Sequence, residues 1–200
     1  DTLLLSSALG GATSSGYSRT VRIWRRGADP LAAPVIFEVP ETSMAGSAGV
    51  DREGGKEVLV FFEQLGFYDA RIHLGDRDGP KAEIPLPTDA HYAWQRGHVA
   101  VKPRTPWTVG GTTHAPDTLL GLSFDAVMQG QPVAVVLFTP EPRRALQGLT
   151  WCDGTLVLSI LENLEPHFVL LTPGAEGWQR QEVPGLPRIG VVDLWPLDAE

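Results

Sequence analysis

One cysteine, Cys152, occurs in the 200 residues, so no disulfide can close within the chain and no thiolate cluster can hold zinc. Its place directly after Trp151 reads as that of a small, buried, packed residue. Positive charge is also short. Sixteen Lys and Arg face 24 Asp and Glu, a formal charge of −8, and no basic stripe is present to neutralise a phosphate backbone. Nucleic acid is therefore excluded as an expected partner. Long apolar runs are missing as well, none approaching the roughly 20 residues of a membrane helix, so no membrane partner is expected. The chain opens on Asp1 and runs straight into Thr2-Leu3-Leu4-Leu5, with no initiator Met and no leader segment, which reads as a cut inside a longer polypeptide.

What is present is a chain that turns often. Hydrophobic residues make up 42% and charged residues 20%, ordinary for a globular protein, while 22 Gly and 17 Pro fall between short apolar runs. All-β is the expected class. Strands are expected at Thr2 to Ser6, at Arg19 to Trp24, where Val21 and Ile23 alternate with polar neighbours, and at Val35 to Val39. A weak strand follows near Ser43. After a turn at Asp51 to Gly55, Val58 to Phe62 is continuously apolar, the mark of a strand covered on both faces. Ala70 to Leu74 alternates again, and Lys81 to Leu86 is an edge strand weakened by Pro85 and Pro87.

The second half repeats this grammar. His91 to Trp94, His98 to Val101, Thr118 to Leu122 and Val133 to Phe138 form one set. Leu149 to Trp151, Leu156 to Leu161, His167 to Leu171 and Trp178 to Val183 form the next, and Ile189 to Leu194 opens another. Gly110-Gly111, flanked by β-formers, marks a tight hairpin because both glycines accept positive φ. A helical turn is expected after Phe124, with Asp125 as N-cap and Gly130 as the stop.

Aligning the third strands at Arg19, Ala70, Thr118 and His167 gives a period of roughly 50 residues, the range of four-stranded propeller blades. The fold read from the sequence is thus a partial β-propeller, about three complete four-stranded antiparallel blades plus parts of two more. It forms a single domain over 1–200, with blade pieces at 1–40, 41–88, 89–140, 141–186 and 187–200. An immunoglobulin-like sandwich also turns every 8 to 12 residues but lacks such a repeat. An open arc leaves blade faces unstacked, and self-association through them is expected.

Residues that could carry chemistry fail on spacing. Gly121-Leu122-Ser123-Phe124-Asp125 approaches a nucleophile elbow, yet Asp125 stands where the second glycine is required, and no strand–elbow–helix context is evident from the sequence. Gly46-Ser47-Ala48-Gly49 has the wrong interval. Asp76-Arg77-Asp78-Gly79 has the look of a calcium loop, with Leu74 and Pro85 in place of two obligatory ligands, so a hairpin turn is the better reading. His73, His91, His98, His114 and His167 form no zinc-binding pair at i, i+4. Gly110 to Thr113 lacks the lysine of a phosphate loop. Glu162 and Glu165 read as solvated loop carboxylates, and Trp94, Trp151 and Trp178 as core residues at equivalent blade positions. No catalytic residue, no metal site and no cofactor site is assigned.

The ordered set Ser15-Gly16-Tyr17-Ser18-Arg19, Trp24 to Gly27, Trp107-Thr108-Val109-Gly110-Gly111-Thr112-Thr113, Val136 to Pro140, Ser159 to Asn163, Leu170 to Gly174 and Gly177 to Arg180 resembles the propeller domain of prolyl oligopeptidase family serine peptidases. The bacterial branch is the nearest. Departures lie at His114 to Asp117 and across Glu41 to Gly66. The resemblance implies a parent that cleaves short peptides after proline. It also implies a seven-bladed propeller that gates access, and a Ser-Asp-His triad in an α/β-hydrolase domain C-terminal to these residues. The implied partners are an oligopeptide substrate and that catalytic domain, and the implied compartment is the cytoplasm or periplasm of a bacterium. A non-enzymatic propeller scaffold that binds a protein or peptide is the alternative.

Overall fold

The computed structural model describes residues 2–52, 57–187 and 189–194. Strands account for nearly all regular structure, and each sheet is antiparallel throughout. Two compact units divide the chain, residues 1–89 and 90–200.

The first unit holds two sheets. One is three-stranded, ordered β1 (Thr2–Ala12), β2 (Ser18–Arg25), β3 (Val35–Glu38). The other is four-stranded, ordered β4 (Ala45–Asp51), β5 (Val58–Gln64), β6 (Ala70–Gly75), β7 (Lys81–Glu83). β1 runs well beyond the expected Ser6, because Gly10 and Gly11 take positive φ and let the strand bulge before it meets Ser18. In β2 the alternation holds, with Val21 and Ile23 buried. In β5 the adjacent residues Val60 and Phe61 are both buried, as a strand covered on two faces requires. Phe37 of β3 stacks on Phe61 at 4.9 Å between ring centroids and so joins the two sheets. β7 ends at Glu83, short of the expected Leu86, since Pro85 cannot donate to the ladder.

The second unit repeats the plan. One sheet is ordered β13 (Val135–Phe138), β12 (Leu119–Ser123), β9 (His98–Lys102), β8 (His91–Gln95). Between β9 and β12 a separate two-stranded hairpin, β10 (Trp107–Val109) and β11 (Thr112–His114), turns at Gly110 and Gly111 with φ of 57° and 79°. The other sheet is ordered β14 (Arg144–Cys152), β15 (Thr155–Glu162), β16 (Glu165–Gly174), β17 (Gly177–Glu182). These two sheets share one core. Leu119, Leu137 and Phe138 from the first meet Leu156, Leu158, Ile160, Val169 and Leu171 from the second, all essentially buried. Each such aliphatic side chain contributes about 1.5–3 kcal/mol by leaving water.

Four expectations give way. The short helix α1 (Phe124–Met128) is capped by Ser123 rather than Asp125, because the Ser123 hydroxyl accepts the Ala126 N–H and Asp125 sits inside the first turn. Gly130, at φ 71°, does end it. Residues 189–194 form no strand: Ile189 and Val191 are almost fully exposed, and no described strand pairs with them. Cys152 is exposed, since it pairs with Thr155 beside the hairpin turn and alternation sends it to the face opposite Trp151. Trp178 lies in the fourth strand of its sheet, whereas Trp94 and Trp151 both lie in first strands, two residues before a hairpin turn. The turn at Asp51 to Gly55 falls largely outside the described residues.

Candidate functional site

The closest approach to catalytic geometry surrounds Ser123. Strand β12 leads through this serine into α1, so the strand-to-helix context not evident in the sequence does exist here. The backbone at Ser123 is extended and unstrained, φ −74° and ψ 129°, unlike the strained turn that lifts a nucleophile. Register places His98 of β9 directly opposite Ser123. The two do not cooperate: the hydroxyl is engaged with Ala126, and the imidazole stands edge-on to Trp178 at 5.7 Å. Among the described residues no hydrogen bond joins them. A base must reach the proton it abstracts, so this pair is a cap beside a packed ring.

The other candidates resolve into turns and ladders. Asp76 to Gly79 closes the β6–β7 turn, and the Lys81 ammonium donates to the carbonyls of Arg77 and Gly79 at 3.2 and 2.7 Å. The lysine cation thus ties the turn's own carbonyls together, as a hairpin turn and not an ion loop. The five histidines fall on β6, β8, β9, β11 and β16, and no three metal-ligating side chains converge among the described residues. Glu162 and Glu165 face each other across the Asn163-Leu164 turn, and Glu162 accepts an ion pair from Arg144 at 3.3 Å. His91 is exposed as a residue, yet partial burial of its ring, and after that the Lys102 and Arg104 cations, hold its pKa below 6.5.

Trp151 and Trp178 pack 6.0 Å apart, and the Trp151 indole N–H donates to the Ala93 carbonyl at 3.2 Å. Their rings are committed to the core. A hollow of about 250 Å³ is lined by residues that include Thr150, Val157, Ser159, Phe168, Asp193 and Leu194. Its lining supplies the Thr150 and Ser159 hydroxyls, the Gln147 amide and the Asp193 carboxylate.

Sequence reasoning missed a brace between the two sheets of the second unit. Arg96-Gly97 and Asp153-Gly154 are matching hairpin turns with all four residues at positive φ. Arg96 pairs with Asp153, and the Gly154 N–H donates to the Gln95 side chain at 2.7 Å. Gly97 and Gly154 were the available signals.

With the geometry in place, comparison with known proteins is informative. No protein-family model matches the chain. It is 28% identical, over 96% of its length, to an uncharacterized peptidase, y4nA, of Sinorhizobium fredii. Among solved structures, a post-proline cleaving enzyme from Rickettsia typhi superposes over 86% of the chain with a TM-score of 0.72 and 22% identity. The fold is that of one segment of a post-proline cleaving enzyme. A prolyl endopeptidase and prolyl oligopeptidase B from Galerina marginata also match over 92% of the chain, each with a TM-score of 0.54, at 15% and 11% identity. The chain spans about a quarter of the length of each of these proteins, 27% of the peptidase and 25–26% of the solved structures.

Proposed function

We propose that the chain is a non-catalytic propeller segment of a prolyl-oligopeptidase-like serine endopeptidase, and that it restricts which peptides reach a catalytic domain held elsewhere in a longer polypeptide. The carrying observation is the superposition on a post-proline cleaving enzyme over 86% of this chain and 26% of that one. The failure of Ser123 and His98 to form a catalytic pair supports the same reading. In it, each four-stranded sheet is a blade. The pieces run 1–40, 41–88, 89–140, 141–186 and 187–200 within one propeller domain, the first and last being partial. The substrate class is short peptides containing proline, and gating works by controlling entry rather than by cutting. In an open run of blades the end sheets lack a stacked neighbour, and self-association of the isolated chain through them belongs to this reading. Light scattering at high concentration checks that point, and a strict monomer would remove it.

A fluorophosphonate probe and a chromogenic proline peptide test the central claim. The 200-residue chain is expected to show neither labelling nor turnover, while the longer polypeptide that contains it is labelled outside residues 1–200 and cleaves after proline. Covalent labelling of a serine within 1–200 would overturn the reading. A longer polypeptide with no labelling would leave the non-enzymatic scaffold in its place.

A further inference from the structure

Three aromatic side chains of the first unit stand out into solvent, Tyr17 at 53%, Phe67 at 84% and Tyr68 at 65% exposure. All three sit on tight connections at one end of the unit. Tyr17 belongs to the β1–β2 loop, where the Thr13 N–H donates to the Tyr17 carbonyl at 3.1 Å and the Thr13 hydroxyl accepts the Tyr17 N–H at 3.3 Å. Phe67 and Tyr68 cap the β5–β6 turn, closed by Leu65 N–H to Asp69 carbonyl at 2.8 Å and by the Gln64 amide, which donates to the Asp69 carbonyl at 3.2 Å.

The two turns are tied together through the segment before β4. Ser14 N–H donates to the Glu41 carbonyl at 2.8 Å, the Thr13 hydroxyl to the Met44 carbonyl at 2.8 Å, and Met44 N–H to the Gln64 carbonyl at 2.7 Å. Aromatic rings held on a hydrogen-bonded frame lose little freedom on binding, which is what makes such residues effective anchors. A core explanation fails for them, because water and not protein covers most of their surface.

Size and charge select the occupant. Rings of 150–250 Å² exposed to this degree offer on the order of 400 Å², well below the roughly 800 Å² per partner of a stable globular interface. A short extended peptide fits that area. The basic residues near these turns, Arg19 and Arg71, are already paired with Glu38 at 2.8 Å and Glu63 at 3.3 Å. Glu41 and Asp69 form no ion pair among the described residues, so the turns favour a cationic ligand. Aromatic-lined surfaces take up proline-rich segments in particular, because a polyproline II strand is already extended and has little entropy left to lose.

We infer that the Tyr17, Phe67 and Tyr68 end of the first unit is a docking surface for extended, proline-containing, positively charged peptide segments. The inference rests on the post-proline reading for its peptide class and adds a binding site that does no chemistry.

The test uses fluorescence anisotropy with a labelled peptide of alternating proline and lysine and the 200-residue chain. Saturable binding is expected, weakened about tenfold or more in the triple variant Tyr17→Ala, Phe67→Ala, Tyr68→Ala and in a peptide with every proline replaced by alanine. An unchanged thermal melt of the variant shows that its fold is kept. Equal binding by wild type and variant, or no binding by either, overturns the inference. So does a dimer in sedimentation that the triple variant abolishes, for then the patch is a contact between copies. Assay of the longer polypeptide on a short chromogenic proline substrate separates the two readings. Retained post-proline cleavage with no docking sinks the surface alone, and docking without any cleavage sinks the peptidase reading alone.

Discussion

At Gly121, in the centre of β12, a single added carbon would decide whether two sheets can stack. A Cβ there would lie 2.8 Å from Trp178 and 2.9 Å from Leu137, closer than carbon atoms approach. Gly121→Ala is expected to cost about 1–3 kcal/mol, read as a lower urea midpoint with an unchanged slope. Leu158, fully buried between the same sheets, is expected to cost about 2–5 kcal/mol when cut to alanine. His91 gives the pH dependence at this scale. Its folded pKa lies below the unfolded 6.5, so the unfolded chain binds the extra proton first and stability falls as pH drops through 6.5. His91→Gln is expected to flatten that part of the melting temperature profile between about pH 7.5 and about pH 5. A profile identical to wild type would show that the imidazole is not responsible.

Turns are the informative elements. The Gly110-Gly111 hairpin was legible because the two glycines announce positive φ, and both adopt it. Asn163-Leu164 was not legible: Leu164 holds φ 70° in a turn where glycine is usual, with its side chain in solvent. A left-handed leucine costs roughly 1–2 kcal/mol, partly offset by the entropy a glycine would lose. Leu164→Gly should therefore stabilise the β15–β16 hairpin by about 0.5 kcal/mol, seen as a raised melting temperature. The helix start shows a different limit. Ser123 and Asp125 are both good capping residues, and only the path of β12 decides which one meets a free N–H.

Over the whole molecule, the sheets follow one another in chain order with each strand paired to a near neighbour in sequence, apart from β9 and β12, which bracket the inserted hairpin. Such local pairing favours folding sheet by sheet. The apolar runs, their spacing and the glycine turns determined by themselves that the chain is all-β and that its strands come in repeated sets. They carry this because alternation and turn chemistry are local, set by neighbours within a few residues. The tertiary structure alone decided that Ser123 caps a helix beside His98, that Trp178 seals Gly121 from a fourth strand, and that Tyr17, Phe67 and Tyr68 share one end of a unit. Those facts depend on which side chains distant in sequence meet, and strand register and sheet stacking settle that only once the backbone has closed around its core.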